Sequence, residues 1–161
     1  MQYIAHRALF DGPDPARENH PDQILAALAA GWDCEIDVWW DDKHWYLGHD
    51  VPEHQVTKNF LYRPGLWMHC KNLEALTRVA TLRTVEKAHF FWHNTDDYTL
   101  TSHGFIWTYP GKELTEDAIW NQPEIDIDWR VNVKNQVECY GICSKHVDEI
   151  SKRRSQHHLM G

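Results

Sequence analysis

The sequence predicts an α/β fold in which strands and helices alternate to form a parallel sheet or barrel. Short apolar runs such as "YIA" (3–5) and "CEIDVWW" (34–40) are typical of buried strands. Between such runs lie segments with apolar residues at helical spacing, most clearly 21–31 and 72–85. Polar residues recur where the predicted strands end, and in parallel α/β folds these ends form the active site.

The chain is long enough for one domain with a core but short for a complete barrel. It has 161 residues, of which 42% are hydrophobic and nine are Trp. A full (β/α)₈ barrel takes about 250 residues and rarely fewer than about 200. We therefore expect one reduced-barrel domain over 1–154, with some helices missing or replaced by loops, followed by a flexible tail over 155–161.

The first half of the chain has clear start and stop signals. Pro21 in a first turn and Gly31 at the end delimit one helix, and Asn72 caps another. A polar turn at 41–43 joins two apolar runs into a hairpin. The predicted elements are strand 3–5, helix 21–31, strand 34–40, strand 44–50, strand 66–71 and helix 72–85.

The second half shows weaker patterns. "KELTEDAIW" (112–120) favours a short helix, whereas 121–136 is ambiguous because "IDIDW" and "RVNV" both alternate like strands. The other predicted elements are strand 88–93, strand 104–111, strand 137–144 and helix 145–154.

The net charge and the lack of a long apolar run argue against several classes of partner. The formal net charge is −8, and such a surface repels nucleic acid and anionic membranes because phosphate backbones are bound by basic patches. The sequence shows no basic segment followed by a long apolar run and no stretch near the roughly 20 apolar residues of a membrane span. The four Cys lack a disulfide pattern. We expect a cytoplasmic protein with no transmembrane segment and no nucleic-acid partner.

Two carboxylates lie inside an apolar strand. Glu35 and Asp37 face the same side, because residues i and i+2 of a strand do so. Burying an ionised carboxylate is costly unless the group is paired or coordinates a metal. Two arrangements satisfy this condition: a metal ion shared with His69, or ion pairs with Arg7 and Lys71 without a metal.

Other residues that can carry chemistry end the neighbouring strands. The pairs are His6 with Arg7, His49 with Asp50, and His69 with Lys71. Because strand ends meet at one edge of an α/β sheet, we expect these pairs to converge on the two acids. Trp39 and Trp107 are expected in the wall of that pocket. His93 lies in "WHNTDD" (92–97), which loop polarity explains more simply.

Five ordered motifs over 3–50 match the opening of a known family. They are His6-Arg7, Glu18-Asn19, Gly31, Glu35-x-Asp37-Val38 and His49-Asp50. In this order and spacing the chain resembles the glycerophosphodiester phosphodiesterases, whose opening reads A-H-R-G, P-E-N-T, a helix, G-A-D-x-[IV]-E-x-D-V and a strand ending H-D. The resemblance is dense over 3–50, loose over 66–71 and faint beyond.

The resemblance implies a TIM-type barrel that cleaves a small or lipid-derived phosphodiester. His6 and His49 would then be the general acid and base, because imidazole both gives and takes protons near neutrality. The other implied roles are phosphate binding by Arg7 and Lys71, metal binding by Glu35 and Asp37, and support of the site by Glu18 and Asp50. With His69 as third ligand, Mg²⁺ or Ca²⁺ is expected first, and Mn²⁺ or Zn²⁺ is compatible because of the imidazole.

Three departures from the family pattern keep other readings open. His69 stands where the family has Glu, Ala8 stands for the Gly of H-R-G, and the usual insertion between Asp50 and His69 is short. The short insertion means that glycerol specificity is not implied. The alternatives are a degenerate binding module without turnover, and a cyclising lyase related to the phospholipase D-like sphingomyelinases.

Overall fold

A computed structural model of the chain describes residues 1–86, 88–134 and 137–158. It is a mixed α/β structure with one sheet of ten strands. The strands are β1 (Gln2–Ala5), β2 (Asp33–Trp40), β3 (Trp45–Leu47), β4 (His54–Val56), β5 (Leu66–Cys70), β6 (His89–Phe91), β7 (Tyr98–Leu100), β8 (Ile106–Thr108), β9 (Ala118–Asn121) and β10 (Gly141–Ser144). The α-helices are α1 (Pro21–Ala29), α2 (Lys58–Leu61), α3 (Leu73–Glu86), α4 (Trp129–Lys134) and α5 (Val147–His158).

Seven of the strands are parallel to one another and lie in the order β6-β5-β2-β1-β10-β9-β8. Apart from β6 and β8, each parallel strand lies beside the next parallel strand of the chain, and β1 lies beside β10, an order that a (β/α) barrel also has. Antiparallel strands β3 and β4 extend the far half of β2, and β7 pairs with β8. Within the described ranges no strand pairing joins β6 to β8, so the ladder is not closed and the reduced barrel stays a prediction.

Side chains from six parallel strands nevertheless pack into one cluster, which indicates that the sheet is curved. The members of the cluster are Ile4, Trp67, Phe91, Trp107, Ile119 and Cys143. The rings of Phe91 on β6 and Trp107 on β8 stack at 4.4 Å between centroids, although their strands are not paired. The backbone N–H of Ser102 also donates to the carbonyl of Phe90 at 2.8 Å, so the segment before β8 contacts β6.

The helices cover the outer face unevenly. Helices α1 and α3 pack against the larger core cluster beside β2 and β5, and α4 and α5 pack against Ile142 of β10. The connection from β6 to β8 contains β7 but no α-helix, and the described residues 109–117 between β8 and β9 contain none either. None of the helices described here combines the length and apolar character that crossing a membrane would require.

Helix α1 begins as the sequence predicts. Pro21 occupies its first turn, and Nδ1 of His20 accepts the backbone N–H of Asp22, which satisfies one free donor of the helix end. Predicted strand 44–50 is shorter in the structure, where β3 ends at Leu47 and His49 lies in the loop that follows.

The predicted helix over 112–120 is wrong, because Ala118–Asn121 form β9. Ile119 and Trp120 pair with both β8 and β10, so the sheet overrides the local helical tendency. The ambiguous segment 121–136 contains a short 3₁₀ turn at Pro123–Ile125 and helix α4, and 135–136 lie outside the described residues. The predicted tail, 155–161, begins inside α5, which continues to His158; 159–161 lie outside the described residues.

Candidate functional site

A cavity of about 390 Å³ opens where the parallel strands end. Seven of the nine predicted site residues line it: His6, Arg7, Glu35, Asp37, His49, His69 and Lys71. The other two contact members of this set, because Glu18 pairs with Arg7 and Asp50 pairs with His49. The structure therefore brings the predicted residues of β1, β2, β3 and β5 to one place.

The chain reverses sharply at the end of β1. Arg7 and Ala8 adopt left-handed backbone conformations, with φ of 51° and 64°. This turn aims the backbone N–H of Arg7 at Oε2 of Glu35, 2.9 Å away. Ala8, which takes the place of the Gly in the H-R-G motif, thus has a backbone conformation that is strained for a residue with a Cβ.

Asn19 positions the carboxylate of Asp37. Its Nδ2 donates to Oδ2 of Asp37 and its Oδ1 accepts the backbone N–H of Asp37, both at 2.9 Å. Asn19 is also left-handed, with φ of 56°, a conformation that Asn tolerates better than most residues. Sequence reasoning matched Asn19 to a motif but gave it no role, because a neutral amide has no charge pattern to reveal it.

The two acids are buried and differ in proton affinity. Burial and the charge of Asp37 raise the pKa of Glu35 to about 7. Burial alone would also raise the pKa of Asp37, but the proximity and charge of His69 and the charge of Lys71 hold it well below its usual range. Asp37 is therefore ionised at neutral pH, whereas Glu35 takes up a proton at a higher pH than an ordinary glutamate does.

His69 presents one ring nitrogen to both acids. Its Nδ1 lies 3.0 Å from Oδ1 of Asp37 and 3.8 Å from Oε1 of Glu35. Its Nε2 lies 2.8 Å from the carbonyl oxygen of His93, and because a carbonyl only accepts, Nε2 carries a hydrogen. Nδ1 then faces the acids either with a lone pair or as part of an imidazolium. Burial lowers the pKa of His69, but the contact with Asp37 outweighs burial and raises it.

These three side chains fit a single cation. Oδ1 of Asp37 is sealed from solvent and has no well-formed hydrogen bond to any described residue. One ligand atom each from Glu35, Asp37 and His69 lies within 4.8 Å of the others. Two carboxylates with one imidazole suit Mg²⁺, Ca²⁺, Mn²⁺ or Zn²⁺, and the second nitrogen of His69 is held by a carbonyl as in many metal sites.

The metal-free alternative also finds support in the geometry. Nζ of Lys71 lies 3.5 Å from Oδ1 of Asp37, and Nε of Arg7 lies 3.7 Å from Oδ2. With an imidazolium at His69, these cations would neutralise the acids among themselves.

The two predicted proton-transfer residues have different surroundings. Nε2 of His6 lies 3.8 Å from Oε2 of Glu35, and its Nδ1 is buried without a partner among the described atoms. Burial and the charge of Arg7 hold the pKa of His6 well below its usual range, so the ring is neutral. His49 is partly exposed, and its Nδ1 donates to Oδ1 of Asp50 at 2.8 Å.

Of the two Trp expected in the pocket wall, only one lies there. Trp107 lines the cavity. The indole of Trp39 instead donates to the carbonyl of Gly48 at 2.6 Å, which fixes the loop that carries His49.

Glu18 joins two cations beneath the cavity. It accepts from Nη1 of Arg7 at 2.7 Å and pairs with Nζ of Lys145 at the end of β10. These bonds outweigh burial and lower the pKa of Glu18. Sequence reasoning missed Lys145, although its position directly after the last predicted strand is the signal that marked the other site residues.

The remaining lining residues were also not predicted as functional. They are His93, Asn94, Tyr109, Pro110, Asn121, Gln122 and Ile125, from the ends of β6, β8 and β9. His93 had been explained by loop polarity, yet it lines the cavity and its carbonyl holds His69. No charge or spacing in the sequence marks these neutral residues.

Comparison of the chain with family models, curated proteins and solved structures gives no match to any of them.

Proposed function

We propose that the chain is a metal-dependent phosphodiester hydrolase that acts on a small or lipid-derived phosphodiester. One observation supports this most directly: a single cavity is lined by a three-residue cluster that could hold a cation, by the cationic side chains of Arg7 and Lys71, and by two histidines. Each of these groups has a separate use in phosphodiester cleavage.

Glu35, Asp37 and His69 would hold the metal, with Mg²⁺ or Ca²⁺ expected first and Mn²⁺ or Zn²⁺ compatible with the imidazole. When bound, a divalent cation supplies polarisation of a phosphoryl oxygen. Asn19 holds Asp37 through one hydrogen bond to Oδ2 of the carboxylate and one from the backbone N–H, and neither bond uses Oδ1.

Arg7 and Lys71 bind the anionic phosphate. Both side chains line the cavity, and Nε of Arg7 is buried without a hydrogen-bond partner among the described residues. The guanidinium of Arg7 and the ammonium of Lys71 stabilise the negative charge that grows on the phosphoryl oxygens.

The two histidines move protons. His6 is neutral because its pKa is low, so it accepts the proton of the attacking hydroxyl, from water or from the substrate. His49, oriented by Asp50, gives a proton to the oxygen of the departing alcohol. Attack by water yields a monoester and an alcohol, and attack by a substrate hydroxyl yields a cyclic phosphate and an alcohol.

A second function is a phosphate-binding module without turnover. The observation that favours it is the set of ion pairs of Asp37 with Arg7, His69 and Lys71, which neutralises the acids without a metal. Such a module would keep the anion pocket and lose nothing when the histidines are replaced.

The test is hydrolysis of bis-p-nitrophenyl phosphate and of glycerophosphodiesters with Mg²⁺, Ca²⁺, Mn²⁺, Zn²⁺ or a chelator. We expect metal-dependent cleavage that is lost in His6→Ala and His49→Ala and kept in His54→Ala, whose histidine lies outside the cavity. Phosphorus NMR of the products separates hydrolase from lyase. Cleavage that survives both the chelator and His6→Ala overturns the proposal, and phosphate binding without cleavage identifies the module.

A further inference from the structure

The cavity is divided into a charged half and a neutral half. The acidic, lysine and arginine residues that line it, Arg7, Glu35, Asp37 and Lys71, all lie in β2 or directly after β1 and β5. The part contributed by the ends of β6, β8 and β9 carries only neutral amides, rings and apolar groups in the described residues. We call it the neutral half; its residues are His93, Asn94, Trp107, Tyr109, Pro110, Asn121, Gln122 and Ile125. The proposed chemistry uses the charged half and leaves the neutral half without a role.

Asn121, at the end of β9, is the least satisfied polar residue of the neutral half. The residue is only 6% exposed, and its Oδ1 is buried with no hydrogen-bond partner among the described residues. Burying an amide without a partner is unfavourable, so folding alone gives no reason for it. Rotation about the last side-chain bond brings either the oxygen or the nitrogen to the cavity, so the amide can meet a donor or an acceptor.

The backbone beside Asn121 is strained. Gln122 has φ of 49° and ψ of 56°, although it has a Cβ and precedes Pro123. The N–H of Gln122 donates to the carbonyl of Cys143 at 2.7 Å, which holds this conformation against β10. Strained residues of this kind persist where the surrounding structure fixes them, and they are frequent at binding sites.

His93 adds a second unpartnered polar atom to the same half. Its Nδ1 is buried without a hydrogen bond to any described group. Its ring lies 5.9 Å from that of Tyr109. Trp107 cannot offer an open face here, because it is buried and stacked on Phe91.

We infer that Asn121 is a specificity-determining residue that, with His93, binds the alcohol portion of the diester through hydrogen bonds. The inference rests on the proposed function. The group it recognises is uncharged and both donates and accepts hydrogen bonds, such as a hydroxyl. An alkyl chain or a quaternary ammonium would leave both polar atoms unpaired, because neither group donates or accepts a conventional hydrogen bond.

The experiment compares three diesters that share a p-nitrophenyl group and carry propyl, hydroxypropyl or choline as the second alcohol. We expect the wild type to prefer the hydroxypropyl diester, and Asn121→Ala to lower its kcat/KM about 10-fold or more while the propyl diester changes little. Asn121→Leu, which keeps the branched shape of Asn without its polar atoms, should show the same loss as Asn121→Ala. Asn59→Ala, which removes an exposed amide outside the cavity, should change the kcat/KM of neither diester.

Two further measurements separate specificity from structure. Because Oδ1 of Asn121 has no hydrogen-bond partner among the described residues, Asn121→Leu should be at least as stable as the wild type towards urea, whereas a structural role predicts a loss. Equal effects of Asn121→Ala on all three diesters, or no wild-type preference, overturn the inference alone. If no diester is cleaved, the proposed function fails. The inference is then tested by the binding of hydroxypropyl phosphate in the presence of a chelator, followed by NMR. Equal affinities of the wild type and Asn121→Ala overturn the inference, and a weaker affinity of Asn121→Ala supports it.

Discussion

Nε2 of His69 donates to the carbonyl oxygen of His93 at 2.8 Å, and this bond decides which ring nitrogen faces the acids. Nδ1 is left 3.0 Å from a buried oxygen of Asp37 that lacks a well-formed hydrogen bond in the described part of the chain. A metal ion or a proton can occupy the space between these two atoms. The two occupants lead to opposite results in a metal titration.

Calorimetric titration with Mn²⁺ should show one site per chain. His69→Ala should weaken binding at least about 10-fold, because it removes one of three ligands. His54→Ala is the matched control and should bind as the wild type does. Absence of binding, or equal binding in His69→Ala, would mean that ion pairs alone neutralise Glu35 and Asp37.

Asn19→Ala should lower the free energy of unfolding by about 3 kcal/mol. The variant removes two hydrogen bonds to Asp37 and puts a less tolerant residue in a left-handed conformation. Urea unfolding followed by circular dichroism measures the loss. The exposed Asn94→Ala should cost little, and an equally small cost for Asn19→Ala would contradict the positioning role of Asn19.

Gln122→Gly should raise the free energy of unfolding by about 1 kcal/mol, because glycine removes the strain of a left-handed residue with a Cβ. Gln122→Ala keeps the Cβ and should give no gain. Thermal unfolding of the two variants at one pH provides the comparison. A gain in both, or in neither, would argue that the strain at this turn is small.

Acid should destabilise the protein partly through His89. Burial and the charge of His103 lower the pKa of His89 to about 3. In the unfolded chain His binds a proton below about pH 6.5, so between pH 6.5 and about 3 the unfolded state binds more protons than the folded one. The contribution of the neutral His89 to the free energy of unfolding is therefore fully present above pH 6.5 and is lost progressively as the pH falls towards 3.

His89→Gln can keep a hydrogen bond to Thr101 but has no proton to gain. Between pH 6 and 4 its urea-unfolding free energy should fall less steeply than that of the wild type, with a slope difference of about one proton. Gln55→Ala, which changes no titratable group, should keep the wild-type slope. Identical slopes for wild type and His89→Gln would show that His89 is protonated equally in both states.

The charged half of the cavity could be predicted because strand geometry is periodic. Glu35 with Asp37, and His69 with Lys71, are spaced by two, and this spacing places each pair on one face. Their common cavity follows from the parallel pairing of β2 with β5, which aligns Asp37 with His69. Residue type, spacing and strand order were sufficient there.

The neutral residues could not be predicted in the same way. Asn19, His93 and Asn121 lie at strand ends or in turns where polar residues are common, and their importance lies in burial and missing partners, which only the folded chain defines. Strand β9 was missed because its segment begins with residues that favour a helix. Its extended conformation comes from pairing with β8 and β10, and no local sequence pattern reveals those pairings.

The pairing of Gln2–Ala5 with Gly141–Ser144 sets the order in which this molecule can assemble. During synthesis, the first strand emerges more than a hundred residues before its second neighbour, and one of its edges stays open until then. The cation of Lys145 reaches Glu18 only with that last strand. A nascent chain therefore carries the acids of β2 early but gains the Glu18–Lys145 ion pair only after β10 has been synthesised.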